Sequence, residues 1–465
     1  MLIEQIYTGC LAQGAYYIES EGEVAIIDPL REVTPYINKA EANNAKIKYI
    51  LETHFHADFV SGHVTLSEKT NAPIIYGPTA NPSFEAHIAK DGEELKLGKL
   101  TIKVLHTPGH TMESTTYLLK DEDGNDKAIF TGDTLFLGDV GRPDLAQKAA
   151  SMTQEELAGL LYDSLRTKIM PLSDDITVYP AHGAGSACGK NMMKETVDTL
   201  GNQKKMNYAL RADMTKEEFI NEVTDGLLPP PAYFPENVRL NKEGYADVEK
   251  VLEKGVKPLS PKTFELMANE LDALVLDVRT QADFAQEHVP NSIFIGLNGS
   301  FAPWVGELII DVQQPILLVT PEGKEEEAVT RLSRIGFDNT LGYLEGGIEN
   351  WKTSGRETDS VTSVPATELE TTNLPIFDVR KTSEYLSQHV ENVENTPLGN
   401  INDYLSAFPK EGNFYVHCAG GYRSMIALSI LKSRGFHGGI DVKGGFKAIE
   451  ETNVSLTDYV CPSTL

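Results

Sequence analysis

The stretch Thr-His-Phe-His-Ala-Asp-Phe, residues 53–59, sets two imidazoles and a carboxylate at alternate positions. Two-residue spacing puts His54, His56 and Asp58 on one side of an extended segment. Imidazole nitrogen and carboxylate oxygen are ligands for a divalent cation. Three later stretches carry the same residue types: His-Thr-Pro-Gly-His ends at His110, Phe-Thr-Gly-Asp at Asp133 and Tyr-Pro-Ala-His at His182. Each follows a short apolar run. The ligands are therefore expected just past strand ends, on loops that a rigid sheet can aim at one ion. Gly109 and Gly132 permit sharp turns beside His110 and Asp133. One feature is unusual: Asp58 is followed by Phe59, which coordinates nothing. His63, His87 and His106 lack such company and are read as structural.

A second chemistry is written in Phe-Tyr-Val-His-Cys-Ala-Gly-Gly-Tyr-Arg-Ser, residues 414–424. A strand ends at His417, and an apolar helix follows the loop. Cys418 opens that loop, with Ala419, Gly420, Gly421 and Tyr422 leading to Arg423 and Ser424. Backbone N–H groups and the helix amino terminus would face the sulfur, lowering the thiol's pKa and favouring a thiolate or a bound anion. Arg423 adds positive charge, and Tyr422 is read as a gate at the loop mouth. Cys10 and Cys461 have no comparable surroundings, while Cys188 follows His182 closely enough to neighbour the metal site. Four cysteines in 465 residues do not make a disulfide framework, so all are expected as free thiols, with Cys188 a small packed residue.

The elements that must hold these groups fall into three segments. Residues 1–235 begin with a hairpin turning at Glu21–Gly22 and a helix near Thr34–Asn44, followed by the four ligand-bearing strand ends. The rest is a repeat. Leu274–Asn291 (LVLDVRTQADFAQEHVPN) matches Pro375–Asn392 (PIFDVRKTSEYLSQHVEN) at a constant offset of 101 residues, pairing Asp277 with Asp378, Arg279 with Arg380 and His288 with His389. Each copy reads as strand, helix, strand, which implies a parallel α/β sheet. The copies are placed at 256–355 and 362–460. Residues 225–244, rich in proline, and 352–369, polar and without period, read as connectors. The formal net charge of −27 argues against nucleic acid and anionic membranes as partners. No apolar run has the length of a membrane span, so a cytoplasmic protein is expected.

The motifs THFHADF, HTPGHT, FTGDTLF and YPAHG, in that order, resemble the metallo-β-lactamase superfamily. That resemblance implies an αββα sandwich with a metal site at one edge. The superfamily's two-metal hydrolases, glyoxalase II among them, carry HxHxDH, whose last histidine serves the second metal. Phe59 stands there in this chain. What survives is His54, His110 and Asp133, a two-histidine, one-carboxylate set suited to non-haem Fe(II). The reading is therefore one Fe(II) per chain rather than Zn, with His56, Asp58 and His182 either orienting ligands or binding metal themselves. This resembles the persulfide dioxygenases, although those enzymes often keep HxHxDH. Arg142, in a Gly-Arg-Pro-Asp loop similar to theirs, is then an anchor for a substrate carboxylate. The Cys-x4-Arg-Ser loop and the Asp-Val-Arg motifs resemble rhodanese sulfurtransferases. A dual-specificity phosphatase loop has one more residue between cysteine and arginine.

Together these imply an αββα domain followed by two rhodanese-like domains. The implied activity is oxidation of a low-molecular-weight thiol persulfide by O₂ to sulfite and thiol, coupled to sulfur transfer through thiosulfate or persulfide at Cys418. The reading is compatible with a homo-oligomer. Two alternatives stand beside it: a glyoxalase II-like zinc thioester hydrolase with a sulfur-carrier tail, and rhodanese-like domains that only bind.

The middle domain is expected to be catalytically silent. Aligning 317–332 with 414–429 puts Pro321 where Cys418 stands, and Glu322, Glu325, Glu326 and Glu327 where anions would bind. Proline offers neither sulfur nor an N–H, and the carboxylates repel anions. In a Cys418→Ser background, Pro321→Cys should leave thiosulfate–cyanide sulfur transfer at zero. Measurable turnover in that double variant would refute the charge argument.

Overall fold

A computed structural model describes residues 1–227 and 229–461. The chain forms two compact units, Met1–Val248 with Ser333–Gly336, and Glu249–Leu332 with Phe337–Leu465.

The first unit is built on two six-stranded sheets. One runs Leu2–Thr8, Gln13–Ser20, Glu23–Ile27, Lys46–Leu51, Ile74–Tyr76 and His87–Ile88. The other runs Asp198–Thr199, Thr177–Pro180, Asp126–Gly132, Thr115–Lys120, Leu100–His106 and Glu94–Leu97. Alternation along the strands gives each sheet an inner apolar face. Tyr16, Ile18, Ile27 and Leu51 from one sheet meet Ile102, Val104, Tyr117 and Phe130 from the other in a single core. Outside the first sheet, Tyr36 and Ala40 of the helix Thr34–Ala42 close a second core, and Leu161 and Phe219 close a third outside the other sheet. The result is an αββα sandwich. The hairpin expected at Glu21–Gly22 joins Gln13–Ser20 to Glu23–Ile27 in antiparallel register.

The second unit holds two five-stranded sheets, all parallel and in the same spatial order. In one, Leu274–Asp277 lies beside Ile316–Val319; in the other, Ile376–Asp378 lies beside Phe414–His417. Each copy carries the same brace. Arg279 is bidentate on Asp277, and Arg380 is bidentate on Asp378.

Both supposed connectors contain structure. In 225–244, of which Leu228 lies outside the described residues, a helix spans Phe234–Glu243. Pro235 sits in its first turn, where proline lacks only a donor the helix leaves free anyway. Phe234, Asn237, Leu240 and Asn241 give it a buried face. Within 352–369, Ser363–Val364 adds a strand to the last sheet and Asp359 exchanges backbone hydrogen bonds with His288. Polar composition hid these short pairings.

The helix Phe234–Glu243 also explains how the segment after His54 is held. The Asn241 side-chain amide donates to His56 O at 2.8 Å and Phe59 O at 2.7 Å, while its oxygen accepts from Ser61 N–H at 2.8 Å. The Tyr233 hydroxyl donates to Asp58 O at 3.3 Å. Asn241→Ala would leave three buried backbone groups without partners, at roughly 2–4 kcal/mol. The urea midpoint of the first unit should fall accordingly; an unchanged midpoint would mean water replaces the amide at no cost.

Candidate metal centre and thiol site

Residues 52–60 do not run on as an extended strand past Lys46–Leu51; they bend at 53–54 and again at 57–59. The His54 and His56 rings still lie with centroids 4.2 Å apart, but their ligand atoms fall into different groups. His54 joins His110 and Asp133 in one group, and His56 joins Asp58 and His182 in another. In each, the ligand atoms lie within 4.8 Å of one another. All six side chains are buried.

Hydrogen bonds fix the first group's tautomers. The Thr53 N–H donates to Asp28 Oδ1 and its hydroxyl to Asp28 Oδ2, both at 2.8 Å. That hydroxyl has spent its proton, so it accepts from His54 Nδ1–H at 3.0 Å. Nε2 of His54 is left bare, 3.9 Å from Asp133 Oδ2. His110 Nδ1–H donates to the Arg142 carbonyl at 2.9 Å, which leaves its Nε2 bare 3.4 Å from the same oxygen. Burial, then the neighbouring imidazoles His56, His110 and His182, hold His54 well below the usual histidine range. Two ring nitrogens and a carboxyl group thus point at one place. Both oxygens of Asp133 lack a hydrogen-bond partner, as do Asp58 Oδ1 and both nitrogens of His56 and His182. Buried polar groups are rarely left so, and a cation is the partner that suits the oxygens of Asp133 and Asp58 together with Nε2 of His182. The residues present fit a metal.

The second group is arranged differently. His182 Nε2 lies 3.4 Å from Asp58 Oδ2 and 3.5 Å from Asp133 Oδ1. His56 turns Nε2 to Asp28 Oδ1 at 3.1 Å and Glu52 Oε2 at 3.6 Å. Burial alone would lower its imidazole, but the carboxyl groups of Asp28, Glu52 and Asp58 together outweigh it and raise His56 to about 9. Glu52 is pushed well above the carboxylate range by burial and by Asp28. The Phe59 ring packs on His56 with centroids 4.4 Å apart. Cys188, expected as packing, also brings its sulfur within reach of Asp133 and His182. Burial and the carboxylates Asp58 and Asp133 raise its thiol well above the usual value.

Arg142 requires a correction. Its guanidinium is buried and bidentate on Asp144, at 2.7 and 2.8 Å, with Nη1 donating to Ala187 O. Those donors engage Asp144 and Ala187, and its carbonyl orients His110.

At the second site, the strand Phe414–His417 delivers Cys418 and the helix Tyr422–Ser433 follows. Gly421 has φ +97°, open to glycine alone at little cost, and its N–H donates to Cys418 Sγ at 3.1 Å. The Cys418 carbonyl accepts from Phe446 N–H, and Ala419 O from Lys447 N–H. Ser424 does not face the sulfur: its hydroxyl donates to Asp441 Oδ1 at 2.7 Å. Arg423 is bidentate on Glu384, at 2.6 and 2.8 Å, so its charge is largely answered. Tyr422, read as a gate, is anchored by its hydroxyl to Gly296 O.

Sequence reasoning missed Asp28, Glu52, Asn241 and Glu384. Asp28 and Glu52 left a signal, each a carboxylate directly after an apolar run, Glu23–Ile27 and Lys46–Leu51.

Residues 8–182 match the metallo-beta-lactamase superfamily, and residues 260–354 and 366–452 match the rhodanese-like domain. The chain is a metallo-β-lactamase-fold domain followed by two rhodanese-like domains. More particularly, it is 32% identical over 178 residues to the cytoplasmic hydroxyacylglutathione hydrolase of Arabidopsis thaliana, covering 37% of this chain and 65% of that one. It is 28% identical over 211 residues to the human mitochondrial persulfide dioxygenase ETHE1, covering 45% of this chain and 74% of that one. The crystal structure of a metallo-beta-lactamase from Staphylococcus aureus superposes with a TM-score of 0.66 at 29% identity, over 74% of this chain and 99% of its own.

Asp28→Asn keeps the shape of the brace but removes the charge facing His56. Metal affinity, read by competition with a chelator, should fall about 10- to 100-fold. Unaltered affinity would show that His56 and Thr53 need no carboxylate behind them.

Proposed function

We propose that the chain is an enzyme with two linked sulfur chemistries. At the first site, His54, His110 and Asp133 would hold one Fe(II), and a low-molecular-weight thiol persulfide would be oxidised by O₂. The balance is RSSH + O₂ + H₂O → RSH + SO₃²⁻ + 2H⁺: the S–S bond breaks, the outer sulfur loses electrons, and O₂ takes them. The observation that carries this reading is the two-histidine, one-carboxylate set with Phe59, not a nitrogen, packed against His56.

Iron would supply the redox chemistry; the chain's own residues orient and shield it. Asp28 through Thr53 fixes the His54 ring, and the Arg142 carbonyl fixes His110. Phe59, fully buried, excludes water beside His56. At the second site, Cys418 would take the sulfane sulfur of thiosulfate, forming a cysteine persulfide and releasing sulfite, or run in reverse. The Gly421 N–H already donates to the sulfur and would stabilise its charge. Sulfite from the first site can thus accept sulfur at the second. Likeness to a persulfide dioxygenase over 45% of the chain supports the first chemistry, and the rhodanese-like match supports the second.

A second reading, zinc-dependent thioester hydrolysis, is favoured by the convergence of His56, Asp58 and His182 despite Phe59, and by the likeness to a hydroxyacylglutathione hydrolase. Metal content separates the two. Anaerobically purified protein should hold close to one iron per chain, and His110→Ala should lose both the iron and persulfide-dependent O₂ uptake. Two tightly bound zinc ions with thioester turnover would favour the hydrolase. Cys418→Ser should abolish sulfur transfer while O₂ uptake persists; loss of both in a folded variant would tie the thiol to the metal chemistry.

A further inference from the structure

In the middle rhodanese-like domain, Asp277 pairs with Val319 as Asp378 pairs with His417 in the other. That strand register puts Thr320 at the cysteine position, one residue before the Pro321 expected from the sequence alignment, and the domain's internal braces are intact. Those braces converge on the turn Gly296–Gly299. Leu297 N–H donates to Val278 O at 3.1 Å, beside the Asp277–Arg279 pair. Arg331 Nη1 donates to Leu297 O at 2.6 Å while its guanidinium lies over the Phe301 ring. Gly299 N–H closes the turn on Gly296 O at 3.3 Å.

This turn forms a socket for Tyr422 of the other rhodanese-like domain. The Tyr422 hydroxyl donates to Gly296 O at 2.7 Å. Its ring stands edge-on to Phe294 with centroids 5.8 Å apart. A Cβ at position 299 would fall 2.3 Å from Tyr422 Cζ, with two more ring carbons at 2.5 and 2.7 Å. Only glycine leaves room for the ring. The same helix is held again where Phe294 N–H donates to the Ser429 hydroxyl at 3.0 Å.

Tyr422 directly follows Gly421, whose N–H meets Cys418 Sγ. The loop before it is Gly420–Gly421, the pair with the most conformational freedom to lose on ordering. An anchor at Tyr422 restricts the peptide that must present its N–H to sulfur. We propose that Gly299 and Tyr422 are a positioning pair through which the cysteine-less domain sets the Cys418 loop of its neighbour. The silent copy then acts on sulfur transfer without touching the substrate. This rests on the sulfurtransferase reading of Cys418.

The test is a double-mutant cycle in the full-length chain with Gly299→Ala, Tyr422→Ala and both together. Two quantities are read: thiosulfate–cyanide sulfur transfer, and the rate of Cys418 alkylation by iodoacetamide mapped by mass spectrometry. Gly299→Ala should lower kcat between about 10- and 100-fold with the thiosulfate KM little changed, and should alter the alkylation rate. Once Tyr422→Ala is present, Gly299→Ala should change neither. An equal effect of Gly299→Ala in both backgrounds, or none in either, overturns the proposal. If Gly299→Ala does not fold, Tyr422→Phe carries the test: a fall in kcat of about fivefold, the worth of one hydrogen bond, supports the pair, and an unchanged kcat overturns it. Should the unaltered chain transfer no sulfur, the sulfurtransferase reading fails, while the alkylation cycle still decides on the positioning pair.

Discussion

The carboxylate of Asp28 is the constraint on which the metal centre depends. One oxygen accepts the Thr53 N–H and faces His56, and the other accepts the Thr53 hydroxyl, which in turn fixes the His54 ring. Asp28 itself stands at φ +48°, a conformation that costs free energy outside glycine. The surrounding hydrogen bonds over-determine it. Residues 52–60 keep scattered backbone bonds, Glu52 N–H to Ile75 O, Thr115 N–H to Thr53 O and Val60 N–H to Arg334 O, and the side-chain bonds of Asp28 and Asn241 supplement them.

The electrostatics follow from burial. Several polar atoms around Asp133 have no partner, and each would be costly to keep dry. The groups shift in opposite directions: burial and the neighbouring imidazoles lower His54, while His56, Glu52 and Cys188 are raised. A centre so divided presents bare nitrogens on one side and a positively charged brace on the other. Phe59 sharpens the contrast by keeping water from the His56 ring.

What was legible in the sequence was whatever repeats or ends a strand. The four ligand motifs and the copied Asp-Val-Arg segments announced the fold class and most of the candidate ligands. Asn241 and Glu384 were not legible, because they act across long separations through single hydrogen bonds and have no local pattern. Alternation did not show how the ligands at 54–58 divide between two groups, because the chain leaves its sheet after Leu51, before the first of them. Arg142 and Arg423 looked free because sequence cannot show that Asp144 and Glu384 already hold them. The connector at 225–244 misled because proline at a helix start reads like proline in an extended spacer.

The Arg423–Glu384 pair has a consequence for encounter rather than for binding. With that guanidinium answered, the thiol loop meets a small anion through backbone N–H dipoles, which act only at contact. At longer range the anion meets a chain of formal net charge −27. Dissolved salt weakens this repulsion beyond a Debye length of about 8 Å at physiological ionic strength and leaves the contact dipoles almost untouched. Most charged sites trade capture rate for salinity. Here the two would rise together, so the medium, more than any side chain, would set how often a sulfur-bearing anion arrives.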